Sequence, residues 1–339
     1  MKVKIAFIGF RHGHINGVYQ FMEKKNNVEI VAACEEDAKT RETLKAKGTP
    51  QITHSDHNHL LDTVECDAVA IGDYYGKRGS LIIDALKCNK HVIVDKPLCT
   101  TLAEYNKIEE LARKKKLTVA VLLNMREGGT SIKMRELIRS GAIGEPHTIV
   151  FTGQHPLNYG SRASWYFEKG KHGGTINDIA VHTIDLIPWL TGIPFTMINA
   201  ARNWNAGFPE VKFFKNAAQL MLTMKNGCGV LGDVSYFAPD SFGYSLPQYW
   251  RIMICGREGI IESPMALGKI MLYKNGKKEM ESIEPAQSLS GKCIESFLQE
   301  VRGEKADPLF SSAEYLESSR ISLMVQQAAD GGACNVPIS

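Results

Sequence analysis

The chain has 339 residues, of which 44% are hydrophobic and 23% charged, with a formal net charge of +3. That length suits two domains better than one core, and the balance excludes disordered and fibrous chains. The small charge gives no reason to expect nucleic acid or an anionic membrane as partner.

Val3 to Ile8 is a short apolar run ending at Gly9, and it follows Met1-Lys2 directly, so no signal peptide is expected. Val28–Cys34, Ala68–Ile71, His91–Val94 and Thr118–Leu123 repeat the pattern. Helical stretches separate them. The clearest, Thr101 to Lys115, opens with the capping box Thr101-Leu102-Ala103-Glu104 and ends in the basic run Arg113–Lys116, which complements a helix dipole. Short apolar strands alternating with helices imply a parallel sheet buried on both faces.

The pattern changes after about residue 145. Ile176 to Leu190 reads as one strongly apolar helix. Asn226-Gly227 and Asn275-Gly276 suggest type I′ hairpin turns, joining Gln219–Thr223 to Gly229–Tyr236 and Ile270–Tyr273 to Lys278–Ile283. With Thr148–Thr152 and Tyr249–Cys255 they predict a mainly antiparallel sheet. The expected architecture is an α/β Rossmann domain over residues 1–122, followed by an α+β domain with a mainly antiparallel open sheet over 123–339. No stretch approaches the ~20 apolar residues of a membrane span. The eight cysteines form no C-x-x-C pair, so reduced thiols and a cytoplasmic location are expected.

The first strand ends at Gly9-Phe10-Arg11-His12-Gly13-His14. In a G-x-G-x-x-G turn, backbone N–H groups meet a pyrophosphate at a helix N-terminus. Only Gly9 is in register here, so side-chain contact from Arg11 or His12 is the expected substitute; a plain strand–helix turn is the alternative. Glu35, just after the second strand, suits the adenosine ribose hydroxyls and would repel a 2′-phosphate, which points to NAD rather than NADP. Lys96, in Asp95-Lys96-Pro97, stands where a parallel strand ends and could hold a substrate oxygen; a surface lysine at a strand end is the alternative.

In Gly173-Gly174-Thr175-Ile176-Asn177-Asp178, continuing to His182 and Asp185, the three polar residues fall on one helical face at 3.6 residues per turn. A polar stripe on an otherwise apolar helix reads as a site. His182 with a carboxylate one turn away suits a general base; a structural histidine is the alternative, and no third ligand for a metal is evident. His54, His57 and His59 have no carboxylate partner in the sequence and read as a surface loop.

Asp95-Lys96-Pro97 resembles the Glu-Lys-Pro motif of the glucose–fructose oxidoreductase / inositol dehydrogenase (Gfo/Idh/MocA) family, and Gly173-Gly174 with Asp178, His182 and Asp185 is similar to its Gly-Gly…Asp-x-x-x-His-x-x-Asp segment. Asn124-Met125-Arg126, Ile138–Glu145, Phe297 and Ala313–Gln327 extend the resemblance over the whole chain. The resemblance implies Lys96, Asp178 and His182 as catalytic residues, with a sugar, inositol or related polyol as substrate. It further implies cofactor contacts from Gly9, Phe10, Arg11, His12, Glu35, Asp73, Tyr74, Arg78, Asp95 and Lys96, no metal, and a homodimer or homotetramer built through the C-terminal sheet. Arg126, His155, Tyr159, Trp165 and Asp185 are expected around the substrate. Rival readings are an NAD-dependent glycoside hydrolase or lyase with transient oxidation, and a non-catalytic ligand sensor. Three departures fall in the cofactor half: the altered glycine turn, Asp95 for Glu, and Gly72-Asp73-Tyr74 with Arg78 where Thr-Pro and His are usual.

Overall fold

The apolar runs of the first part become β1 (Val3–Ile8), β2 (Val28–Cys34), β3 (Ala68–Ile71), β4 (His91–Asp95) and β5 (Val119–Leu122), paired in the order β2-β1-β3-β4-β5 with every pairing parallel. The connecting helices are α1 (His14–Glu23), α2 (Ala38–Lys47), α3 (His57–Thr63), α4 (Tyr75–Lys87) and α5 (Leu102–Lys115). α5 carries the reciprocal capping box of Thr101 and Glu104. Ala68 to Ile71 is fully buried, as a strand covered on both faces requires. Ile8 lies level with Cys34 and Ile71, and Ile71 with Val94, so Gly9, Glu35, Gly72 and Asp95 follow in one row along the carboxyl edge.

This computed structural model describes residues 2–338 and resolves them into two units. The first reaches Leu123 and also takes in Gly170–Gly173 and Gly291–Arg320; the second holds Asn124–Lys169, Gly174–Ser290 and the chain from Ile321 onward. A single division after residue 122 therefore does not describe them. The cause is hydrophobic: Ile294, Phe297 and Leu298, on the helix Lys292–Val301, are buried in one cluster with Phe7, Ile15, Ala33 and Ile93. Cys293 Sγ also donates to the Val121 carbonyl, at 3.5 Å.

The second unit contains α6 (Gly129–Arg139), β6 (Pro146–Pro156), α7 (Val181–Thr191), β7 (Phe195–Trp204), β8 (Ala217–Met224), β9 (Gly229–Ala238), β10 (Arg251–Gly256), β11 (Gly259–Pro264), β12 (Ile270–Lys274), β13 (Glu281–Ile283) and β14 (Val336–Pro337). Its sheet runs β13-β12-β11-β10-β6-β9-β8-β7-β14, with β6 and β9 parallel and the other neighbours antiparallel. Along β8 and β9 burial alternates, leaving Met221, Leu231 and Phe237 exposed. A groove of about 420 Å³ there is lined by Val150, Ala200, Met221 and Leu231 among others. No helix among the described residues is long and apolar enough to cross a membrane.

Two expectations need correction. Both hairpins form, but neither turn is type I′: only Gly227 and Gly276 have positive φ, while Asn226 and Asn275 do not. At the first, Met224 and Cys228 bond across a three-residue loop, so the glycine takes the left-handed position that closes a longer turn. Ile176–Leu190 is also not one uniform helix. It begins with a wider π turn over Ile176–Ala180 before α7. The 3.6-residue phase therefore links His182 to Asp185 but does not carry back to Asp178.

Candidate functional site

The cofactor candidates lie along the carboxyl edge of the first unit's sheet. Gly9 has φ +79°, and a Cβ there would stand 2.7 Å from the Asp73 Cβ, so the turn admits only glycine. Gly72 serves close packing, since a Cβ would meet Ile15 at 2.3 Å. α1 begins after Gly13 with no side-chain cap and no acidic residue in its first turn, and a Cβ on Gly13 would meet open space. An uncapped helix N-terminus at this edge fits the diphosphate of a dinucleotide.

Glu35 is fully buried and accepts the N–H of Phe10 at 2.6 Å and of Asp37 at 2.8 Å. Burial raises its pKa, against the lowering by these two bonds. Each carboxylate oxygen keeps a further lone pair beyond these two bonds. Arg11 forms a two-point pair with Asp73, Nε–Oδ1 2.6 Å and Nη2–Oδ2 2.7 Å, and lies 4.5 Å over the Tyr74 ring. Its pKa is raised: burial opposes the charge, but Asp73 prevails. Arg11, Asp73 and Tyr74 thus form one cluster beside Glu35, whose Oε1 lies 3.9 Å from Arg11 Nε.

His12 is turned inward. Its Nδ1 meets Asp95 Oδ2 and its Nε2 lies 3.2 Å from the Tyr75 hydroxyl. Burial lowers its pKa to about 4, outweighing the pull of Asp95. A buried neutral ring with both nitrogens engaged is not a phosphate donor, so that part of the expectation is corrected: of the two side chains, Arg11 is the one left to reach an anion. Asp95 is buried as well. Burial opposes its charge, but His12 and Arg78 hold its pKa well below the carboxylate range.

Arg78, fully buried, donates to the carbonyls of Asp73 and Asp95 at 2.8 Å, and to those of Lys96 and Pro97. It clamps the end of β4 from inside, holding the Lys96 backbone, and its Nη2 bonds the Asp95 carboxylate at 3.2 Å. The Lys96 Nζ lies 5.9 Å from the centre of the buried Tyr75 ring.

Two sets of groups among the described residues bring metal-ligating atoms within 4.8 Å of one another: His12, His14 and Asp95, and Glu36, Asp56 and His57. In the first, Arg78 already shares Asp95 Oδ2. In the second, Lys77 already pairs with Glu36, whose pKa falls to about 2 as hydrogen bonds from Lys77 and His57 outweigh burial. His57 is thus no bare loop histidine. Its Nδ1 bonds Glu36 at 2.5 Å and its Nε2 lies 3.6 Å from Asp84.

The second unit holds the substrate candidates. Gly174 has φ +101°, and a Cβ there would run into the Gln326 amide, whose Oε1 accepts the N–H groups of Ile176 at 3.1 Å and Asn177 at 3.3 Å. The glycine pair thus lets Gln326 cap the turn bearing Asp178. Asp178, His182 and Asp185 are all buried, but they do not share one destination. Asp178 Oδ2 accepts the hydroxyl of Tyr236 on β9. Asp185 binds Arg126 at two points, Nε–Oδ2 2.9 Å and Nη2–Oδ1 2.6 Å, both residues being buried. Arg126 and Asp185, expected around the substrate, therefore answer each other.

The His182 ring lies 5.5 Å from Trp250. His155 sits among Tyr249 at 4.8 Å, Trp250 at 5.3 Å, Tyr244 at 5.9 Å and Tyr236 at 6.0 Å. Trp165 stacks on Tyr166 at 4.1 Å, and Tyr159, half exposed, packs against Phe167 and Phe208. Sequence reasoning missed Tyr75, Tyr236, Trp250 and Arg162. In the sequence each is an ordinary strand, helix or loop residue, and only strand register and loop path bring them to these positions.

Residues 3–123 match the oxidoreductase family with an NAD-binding Rossmann fold, and residues 131–262 match the C-terminal domain of the same Gfo/Idh/MocA group. The chain belongs to the Gfo/Idh/MocA family. It is 28% identical over 186 residues to a levoglucosan dehydrogenase of Pseudarthrobacter phenanthrenivorans, covering 53% of this chain and 46% of that protein. It is 27% identical over 153 residues to a myo-inositol 2-dehydrogenase of Thermotoga maritima, covering 44% and 43%. The chain thus spans about half the length of the curated relatives it matches. An Agrobacterium radiobacter oxidoreductase solved with NAD+, L-tartaric acid and magnesium superposes with a TM-score of 0.78 at 20% identity, covering 98% of this chain and 96% of that one. A myo-inositol 2-dehydrogenase from Lactobacillus plantarum gives 0.78 at 18%, covering both chains fully. At such identities these structures establish the fold alone.

Proposed function

We propose that this family member passes hydride between a nicotinamide cofactor, NAD in preference to NADP, and a secondary alcohol or ketone of a sugar, inositol or related polyol. The observation that carries the reading is the buried Asp178, bonded to Tyr236 on the glycine-led turn that runs directly into the helix bearing His182. The names of the levoglucosan and inositol dehydrogenases support the polyol class.

Bound nicotinamide supplies the hydride acceptor or donor. The chain's own residues do the rest. The first turn of α1 and Arg11 hold the diphosphate, and Glu35 accepts from the ribose and opposes a 2′-phosphate. Lys96 holds the reacting oxygen, and His182 takes or returns the hydroxyl proton. Asp178, fixed by Tyr236, sets the electrostatics of that proton transfer. Met221, Leu231 and Phe237 on the open sheet face support assembly into a homodimer or homotetramer.

The test is direct. The purified protein is incubated with NAD or NADP and with myo-inositol, levoglucosan, D-glucose, D-gluconate or D-glucuronate, and nicotinamide reduction is followed by absorbance. Reduction with at least one of these compounds, abolished in His182→Ala, is expected; none with either cofactor would overturn the reading.

A further inference from the structure

Arg162 lies on the loop after β6, in the second unit. Its Nε donates to the Leu157 carbonyl and its Nη2 to the Pro156 carbonyl, both at 2.7 Å. The guanidinium carbon lies 4.7 Å from the centre of the Tyr166 ring and 5.2 Å from that of Tyr236. Two backbone acceptors and two aromatic rings thus fix the group in place. Tyr236 is the residue whose hydroxyl reaches Asp178, so this cation stands one tyrosine ring from the candidate catalytic carboxylate.

Arg162, half-buried, differs from the two fully enclosed arginines in what it lacks. Arg78 has Asp95 and Arg126 has Asp185 as partners. Arg162 pairs with no carboxylate among the described residues, and its Nη1 has no hydrogen-bond partner there and is not sealed from solvent. Burial opposes its charge, but Tyr236, Tyr166, Tyr244 and Asp178 together raise its pKa, so the cation persists. A positioned guanidinium with three of its five N–H donors unspent, two of them on Nη1, is suited to an incoming anion. One cation matches the single negative charge of a carboxylate, whereas a dianionic phosphate ester would leave a second charge unbalanced.

We propose that Arg162 anchors a carboxylate of the substrate, and that the substrate is accordingly a sugar acid or polyhydroxy acid. This rests on the oxidoreductase reading of the same site, deepening it by naming the substrate's charge. The carboxylate binds Nη1 at one end of the molecule, and the carbon that exchanges hydride lies elsewhere on it. The anchor takes no part in bond breaking, so its loss weakens acid binding and leaves neutral polyols unaffected.

Titrations of the NAD-loaded protein, followed by calorimetry, compare D-glucuronate, D-galacturonate and D-gluconate with D-glucose, D-galactose and myo-inositol, and with glucose 6-phosphate. At least one acid is expected to bind about tenfold or more tightly than the neutral compounds and the phosphate ester. Arg162→Gln should remove that advantage while changing neutral affinities less than about twofold, with Arg162→Lys intermediate. The anchor is overturned if no acid outbinds the neutral set in the unaltered protein, which needs no variant to fold. It is equally overturned if the phosphate ester binds tightest, or if the acid's advantage survives in folded Arg162→Gln. Turnover separates the two readings. Neutral polyols that reduce NAD while acids neither bind nor react would sink the anchor and leave the oxidoreductase reading standing. Acids that bind through Arg162 with no nicotinamide reduction by any compound would do the reverse.

Discussion

The hydroxyl of Tyr236 donates to Asp178 Oδ2, joining β9 to the π turn that precedes α7, and both side chains are buried. Burial first, and then the charge of Asp178, raises the tyrosine pKa well above its usual value, so the phenol stays a donor at any working pH. Removing it leaves a buried carboxylate short of a partner. Tyr236→Phe should therefore lower kcat by roughly 10–100-fold, the loss of about 1.5–3 kcal/mol for a hydrogen bond to a charged group, with NAD affinity unchanged. Steady-state kinetics beside a cofactor titration measures this. An unaltered kcat would show that Asp178 does not depend on its tyrosine.

His182 must be neutral to accept a proton, so the rate of alcohol oxidation should rise with pH through one apparent pKa. His182→Ala should abolish that ascending limb and reduce kcat by ~10²–10⁴, the usual contribution of a positioned acid–base group. NAD binding should persist, because the histidine belongs to the second unit while the cofactor candidates belong to the first. Normal turnover by the variant would show that another group carries the proton. Asp178→Asn should keep the fold and lower kcat.

Where local pattern decides structure, the sequence was readable. β1, β2 and β3 have the bounds their apolar runs predict, and the Thr101–Glu104 box caps α5. What local pattern could not supply was long-range. The return of Phe297 to the core around Phe7 spans almost the whole chain and follows only from which surfaces remain uncovered. The polar stripe of Asp178, His182 and Asp185 was visible as a violation of an apolar helix. The π turn, which no residue preference announces, then divided it, sending Asp178 to Tyr236 and Asp185 to Arg126. The same holds for His12. A histidine in a glycine slot reads as a phosphate ligand until the partner 83 residues away is seen to be Asp95.

The pairing of Arg11 with Asp73, one hydrogen bond from Nη2 and one ionic approach of Nε, makes a specific statement about cofactor affinity. If Arg11 reaches the diphosphate, Arg11→Ala should weaken NAD binding by ~1.5–3 kcal/mol, one charged hydrogen bond, and leave Asp73 beside Glu35 with no cation between them. NADP should bind more weakly than NAD to the unaltered protein, since its 2′-phosphate would face Glu35. Dissociation constants for both cofactors at one ionic strength decide the matter. Tighter NADP binding would remove Glu35 as the discriminator, and an unchanged NAD constant in Arg11→Ala would confine Arg11 to its pair with Asp73.

His12 gives the fold a defined weakness to acid. Its ring is buried between Asp95 and Tyr75, and its pKa falls from 6.5 to about 4 in the folded chain. Between those values the unfolded chain binds a proton that the folded chain refuses, so stability rises with pH across the interval and is lost as pH falls through it. The full interval corresponds to about 3 kcal/mol, at 1.36 kcal/mol per unit. Asp95 acts in the same direction but at lower pH, because its depressed pKa keeps it ionised until well below the usual carboxylate range. Replacing His12 by Gln retains an amide that can bond both neighbours and removes the titrating ring. Urea unfolding at pH 7 and pH 4.5 should show the unaltered protein losing roughly 2–3 kcal/mol more than His12→Gln, the other acid-sensitive groups being common to both. Equal losses in the two proteins would show that His12 takes up its proton as readily folded as unfolded, and that it is not the sealed partner of Asp95.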